Sequence, residues 1–395
     1  MEEKIKVNKL FLVGNGFDLA LGLKTSYADF MFWLLKTHLI NAVKNFGRQA
    51  APINYRERYN NFLQSYEQLI IYGFSSCELF AVLFKKAYDE IPKKITELKN
   101  LEDLIKFVKI YDIEIKPKSE YLLFKGIYTQ CELGWVDIEE TYFNLIQLII
   151  NNNKIDSLEI VKDLNNELQF ISNELKKYLK TFDVNLDISE AEKYNNQIQQ
   201  KLKSTDFINE DLKSKDIELG QYYFLNFNYT DSLSKVIDHN IELKDKSSIN
   251  HIHGSIKDDS PLVFGYGDEI HEFYKKIEDL RENEFFKHIK SFRYFQNNRY
   301  RDLLRFLNNN YFQVCIYGHS CEISDRVMLN EIFEHKNCVS VKVYFYKDKS
   351  GNDDFTSKTM NISRHFNSNK LMRQKIVEFN PENEIPQKNS QTELQ

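Results

Sequence analysis

Apolar positions along the chain keep two different rhythms. Near the N-terminus, Leu10-Phe11-Leu12-Val13 is a short unbroken apolar run, the pattern of a buried strand, and it stops at Gly14-Asn15-Gly16. After a second glycine turn at Gly22, Ser26 stands where it can cap a helix predicted over 27–45, which carries Phe30, Phe32, Trp33, Leu34 and Leu35. From there to about residue 219 the strand signal almost disappears. Residues 59–72, 79–88, 95–110, 136–150 and 158–178 place apolar side chains three and four apart with charge between them, which predicts amphipathic helices. Residues 187–216 are polar and read as an exposed helix or a connection. The strand rhythm returns at 221–226, at 249–253 and briefly at 261–264. Helices are expected over 270–290 and 299–308, a strand over 312–317, a helix over 323–335, a strand over 339–346 and a last helix over 357–366. The polar stretch from Asn380 reads as a frayed end.

Strands at the start and again from about residue 220, alternating with helices, predict an α/β fold: a Rossmann-like parallel sheet flanked by helices, with a large all-helical insertion. The expected plan is a discontinuous nucleotide-binding core over 1–45 and 218–380, a helical insertion over 46–217 and a flexible tail over 381–395. The length of 395 residues allows two structural units, and the low counts of 13 Gly and 6 Pro suit long helices with few tight turns. A net charge of -5 provides no basic field, so neither nucleic acid nor an anionic membrane is an expected partner. Cys77, Cys131, Cys315, Cys321 and Cys338 are scattered and form no CxxC pair, which suggests neither a disulfide framework nor a cysteine zinc site and fits a reducing cytoplasm. The opening MEEKIKV has no signal-peptide core, and no apolar run approaches the length of a membrane span.

In open parallel sheets ligands bind at the carboxyl ends of the strands, and polar or glycine motifs stand at those ends here. Gly14-Asn15-Gly16-Phe17-Asp18 joins strand to helix, where missing side chains and free N–H groups suit a phosphate; an ordinary strand–helix turn has the same look. As a dinucleotide fingerprint it is incomplete, because Leu19 holds the third glycine position and Asp29 comes too early to contact a ribose; hydride transfer is therefore a poor reading. Asn226-Phe227-Asn228-Tyr229-Thr230-Asp231 either holds a turn or orients a ribose or a water. In His251-Ile252-His253-Gly254-Ser255 the two imidazoles share one strand face, yet no carboxylate or Cys stands at a convincing ligand spacing, so no metal is expected. A histidine there suits a general base near neutral pH, or a hydrogen-bonded core position. Gly318-His319-Ser320-Cys321-Glu322-Ile323-Ser324-Asp325 offers close backbone approach, a helix cap at Ser320 or Ser324, and His319 as a second catalytic or packing group. The loop Phe264-Gly265-Tyr266-Gly267-Asp268 reads as a flexible aromatic cover.

Taken together the motifs resemble the AbiH family of bacteriophage abortive-infection proteins. Leu12 to Ala20 with Leu23-Lys24-Thr25-Ser26-Tyr27 is similar to its opening signature, and Trp135-Val136-Asp137-Ile138-Glu139 to its middle element. Asn226 to Thr230, His251 to Gly254, and Tyr317 to Ser320 with Asp325 resemble its later blocks. That family is similar to the sirtuin-like (SIR2-like) Rossmann group, which implies a pocket for NAD or a related adenine nucleotide. The resemblance implies catalytic roles for His253 and Asn228 at the nicotinamide–ribose bond. It implies nucleotide contacts from Gly14, Asn15, Gly16, Asp18 and Thr25 on one side, from Gly254 and Ser255, and from Gly318, His319, Ser320 and Asp325 on the other. The sirtuin block departs here: Asn226 replaces a Thr, and Thr230 stands where Asp is expected, with Asp231 next. The zinc cysteines of deacetylase sirtuins have no counterpart, which speaks against deacetylation and leaves NAD hydrolysis, with NAD as substrate. Such an enzyme implies latency, an unknown phage-derived trigger, possible homo-oligomers, and a regulatory or assembly role for the insertion, in which Glu139 reads as a helical acid. Two alternatives remain: a ribonuclease faintly similar to the HEPN type, on Arg281, Glu282 and His288, and a non-catalytic adenine-nucleotide sensor.

Overall fold

The computed structural model describes residues 4–46, 72–118, 121–134, 136–152, 157–208, 212, 217–259, 261–267 and 272–388. The chain divides into two compact units, Met1–Thr25 with Leu179–Gln395, and Ser26–Tyr178.

The first unit is built on a five-stranded sheet in the order β6-β5-β1-β7-β8. The strands are β1 (Ile5–Val13), β5 (Ile217–Asn226), β6 (Ser247–His251), β7 (Tyr311–Tyr317) and β8 (Cys338–Tyr344), all paired in parallel. Side chains alternate between the faces of a strand. Leu10 and Leu12 of β1 join Leu225, Val314, Ile316 and Val343 in one core layer, while Phe11 and Val13 join Phe224, Cys315, Tyr317 and Tyr344 in the other. Both faces are buried, which is why these strands read as continuous apolar runs rather than alternating ones. From β1 the order runs out through β5 and β6 on one side, then returns through β7 and β8 on the other. The reversal falls between β1 and β7, the place where open α/β sheets hold their ligands. The α/β, Rossmann-like expectation is met in this unit.

Several local expectations are not. Residues 261–264 form no strand. The helix expected over 270–290 is broken into Glu272–Leu280, a 3-10 turn at Asn283–Phe286 and Lys290–Tyr294, with Arg281 at a φ of 55° ending the first piece. Residues 381–388 are docked rather than frayed: Ile385 is buried and donates its N–H to Phe345 O at 2.8 Å, and Lys388 N reaches Ala20 O at 2.8 Å. The polar composition hid one anchoring isoleucine.

The second unit starts at α2 (Tyr27–Lys44), where Ser26 and Asp29 form the reciprocal capping box that the Ser26 reading anticipated in part. The all-helical expectation fails here. β2 (Gly73–Ser76), β3 (Phe80–Phe84) and β4 (Ile113–Pro117) form a three-stranded antiparallel sheet in that order. Every residue of Phe80-Ala81-Val82-Leu83-Phe84 is buried, and a short run buried on both faces has no alternation to separate it from a helix. The helices expected over 136–150 and 158–178 are present as Ile138–Asn151 and Ser157–Leu179. Glu167 of the latter accepts the Phe124 N–H at 3.0 Å, at the start of helix Leu122–Leu133. The helix expected over 59–72, Trp135 of the middle element and Asp268 of the aromatic loop lie outside the described residues, residue 72 excepted. Among the described residues no helix is long and apolar enough to cross a membrane.

Candidate functional site

The carboxyl ends of β1, β5, β6 and β7 bring the sequence motifs to one edge of the sheet. At β1 the turn is tight: Gly14 caps α1 (Asn15–Ala20) directly. The loop interlocks with the one after β7. Gly14 N donates to Tyr317 O at 3.3 Å, Gly16 N to Gly318 O at 2.9 Å, and Phe17 N to Gly14 O at 2.9 Å. A Cβ on Gly14 would stand 2.6 Å from His319 Cα, and one on Gly318, at a φ of +78°, would stand 2.3 Å from Phe17 N. The glycines therefore serve backbone-to-backbone contact, and the N–H groups of Gly14, Gly16 and Phe17, which could otherwise face a phosphate, are already bonded. Asn15 is exposed and accepts from Thr25 Oγ1 at 2.5 Å.

The β5 end is equally committed. Asn226 Oδ1 takes the Asn228 N–H at 3.0 Å, and Asn228 Nδ2 donates to Gly14 O at 3.0 Å, tying the two turns together. Asp18 is wholly buried; it accepts from Thr230 Oγ1 at 2.7 Å and from Ser232 Oγ. Burial pushes its carboxyl up to about 6, against the lowering pull of the bonds from Ser232, Thr230 and Asn228. Asp18 thus fixes the strand-end loop rather than facing a ribose.

β6 ends at His251, so the two histidines do not share a strand face as expected. His251 stays among the turn residues, its Nδ1 3.4 Å from Asn228 O, and burial lowers its pKa. Gly254, at a φ of +90°, and Ser255, whose N–H bonds Asp258 Oδ2 at 3.0 Å, turn the chain back. His253 goes inward. Its Nε2 lies 3.2 Å from Asp325 Oδ1 and 3.1 Å from Tyr294 OH, and Phe227 meets its ring edge-on at 5.1 Å.

Asp325 is the centre of the cluster. It occupies the N-cap position of helix Arg326–Glu334 but makes no capping bond; its carboxylate is turned inward instead. Neither Ser320 nor Ser324 caps that helix. Ser320 is exposed and presents its carbonyl to Asn361. Lys290 Nζ, 2% exposed, reaches Asp325 Oδ1 at 3.1 Å, and His319 Nε2 stands 3.9 Å from Oδ2. Burial pushes the Asp325 carboxyl up, but Lys290, His253 and His319 outweigh it and hold the group well below the usual carboxylate range. An ionised carboxylate requires a hydrogen on the imidazole nitrogen facing it, so His253 carries its proton on Nε2. In the neutral ring its Nδ1, which meets no hydrogen-bond partner among the described residues, is then the basic atom. His319 takes the Cys321 N–H on Nδ1 at 2.9 Å, and burial drives its pKa down to about 4. His319 is therefore neutral at pH 7.

Sequence reasoning missed Lys290 and Tyr294. The loop over 264–267 explains Lys290: Tyr266 N bonds His288 O at 3.1 Å and Lys290 N bonds Tyr266 O at 3.0 Å. Phe264 and Tyr266 are buried, so this loop is a fixed support, not a flexible cover. From the sequence, Asp325 was reached only through the resemblance, as part of the block with Tyr317 to Ser320. Arg281 is exposed beyond its helix end, and His288 is buried past the following 3-10 turn, so the two do not share a helix face. Among the described residues no three His, Cys, Asp or Glu side chains are placed to hold a metal ion.

The sequence model of the bacteriophage abortive infection AbiH family matches residues 10–347. No curated protein and no solved structure matches the chain.

Proposed function

The chain belongs to the AbiH family of bacteriophage abortive infection proteins, and on that premise we propose that it binds NAD at the strand ends and hydrolyses the nicotinamide–ribosyl bond when infection triggers it. The observation that carries this reading is the Asp325–His253 pair, with Nε2 tethered at 3.2 Å and Nδ1 left basic. In the reaction, Nδ1 of His253 accepts a proton from water as the water oxygen bonds the anomeric carbon. The carbon–nitrogen bond breaks with its electron pair on nicotinamide, and ADP-ribose, nicotinamide and a proton result. Asp325 stabilises the imidazolium, and Lys290 keeps Asp325 ionised. Asn228, bonded to Gly14 O, acts as a positioning residue for the loop rather than as a holder of water. A diphosphate held by the Gly14–Gly16 backbone needs the interlock with Gly318 released, so the untriggered protein is expected to turn NAD over slowly rather than not at all.

Purified protein is mixed with NAD and, separately, with total RNA, and both are followed by chromatography. NAD loss that falls about 10²- to 10⁴-fold in His253→Ala is the expected result. Unchanged turnover in that variant removes His253 from the mechanism. Saturable ADP-ribose binding without product supports the sensor reading instead.

A further inference from the structure

A cavity of about 310 Å³ adjoins the charged cluster, and most of its lining lies outside the strand-end motifs. It mixes rings with charge: Tyr294, Tyr300, Phe292 and Phe295 face it together with Lys290 and Asp325. Tyr294 and Tyr300 lie parallel at 5.6 Å and 6°, and Tyr294 continues onto the His253 ring at 6.2 Å and 9°. Phe292 and Phe295 leave 45% and 78% of their surface exposed. Rings left this open beside a cavity cost apolar exposure that a flat partner would remove. The volume sits at the small end for ligand sites, about 300–1,000 Å³, and suits one ring system rather than a whole dinucleotide. Asp325 adds a directional group. Its Oδ1 receives His253 and Lys290, whereas among the described residues Oδ2 takes no hydrogen bond, His319 Nε2 standing at 3.9 Å, beyond hydrogen-bond reach. A carboxylate in this state has acceptor capacity to spare.

We propose that this cavity binds a flat heteroaromatic ring carrying an amino or carboxamide group, with the ring against the aromatic side chains and the N–H on Asp325 Oδ2. The inference rests on reading the strand ends as a nucleotide site, and names the part of the nucleotide that this side of the site takes. Pyridine carboxamide and purine amine share the required chemistry.

The full chain is titrated calorimetrically with nicotinamide, with adenosine, and with ribose 5-phosphate as a ring-free control, alongside Phe292→Ala and Phe295→Ala, whose rings are partly and largely exposed and whose folding is checked by circular dichroism. Saturable binding of nicotinamide or of adenosine is expected, the better binder identifying the source, with no binding of ribose 5-phosphate. Each variant is expected to weaken it about two- to tenfold, the range of a single aromatic contact. Failure of both ring compounds to saturate overturns the proposal, as does wild-type affinity in both variants. The same preparations are assayed for NAD loss. Ring binding without NAD loss keeps the cavity assignment and removes hydrolysis, whereas NAD loss with an unchanged KM in both variants keeps hydrolysis and removes the cavity assignment.

Discussion

Asp18 and Asp325 are both buried acids at the same sheet edge, and their surroundings send them in opposite directions. Neutral donors, two hydroxyls and an amide, do not offset the burial of Asp18, whereas a lysine and two histidines do so for Asp325. The consequence for stability has a definite sign. With its folded pKa raised from 3.8 to about 6, Asp18 keeps a proton in the folded chain that the unfolded chain has already released. Stability therefore falls as pH rises through that window, by about 3 kcal/mol in all. His319, lowered from 6.5 to about 4, works the other way. The unfolded chain takes up that proton first, so stability falls as pH drops through the window, by a similar ~3 kcal/mol. The two slopes oppose each other between about pH 4 and 6. Urea denaturation is expected to show Asp18→Asn losing stability on acidification more steeply than wild type, and His319→Gln gaining relative to it. Parallel pH profiles in all three proteins would contradict this assignment. At this scale the sequence was partly legible. It identified His253, His319 and Asp325 as chemistry-bearing, but a lysine at the end of an expected helix carries no signal that it will be buried on an acid.

Among the elements, the loops after β1 and β7 are held by glycine for a reason the motif alone does not reveal. Gly14-Asn15-Gly16 reads equally as a phosphate loop and as a turn, and the structure shows a turn packed on another turn. Gly318→Ala is expected to be severe, because the added Cβ would meet Phe17 N at 2.3 Å in addition to the strained φ of +78°. Gly134→Ala, at a φ of +86° with nothing within 4 Å, isolates the conformational cost alone, about 1–2 kcal/mol. Thermal unfolding of the two variants should separate them clearly; equal losses would show that the interlock adds nothing. The parallel strands were found from sequence because their apolar runs end in glycine or polar motifs. β3 was missed because its run ends without such punctuation, and residues 79–88 then pass for a helix. Helix Arg326–Glu334 shows the reverse case: it was expected from residue 323 with Ser320 or Ser324 as its cap, and the inward-turned acid at its N-cap is visible only in the fold.

For the whole molecule, the decisive feature is where the central strand stands in the chain. β1 has every residue from Val7 to Val13 buried, between β5 and β7. Its first partner starts at Ile217 and its second at Tyr311. A fragment ending at residue 216 lacks both, and is expected in the insoluble fraction on expression while the full chain is recovered in solution. A well-behaved monomeric fragment would show that β1 finds other cover. On the ribosome the same order has a price in time. At about 5–20 residues per second, β1 is out of the exit tunnel for roughly ten to forty seconds before β5 is made. A chaperone that shields one apolar strand during that interval is expected to raise the amount of folded protein a cell obtains.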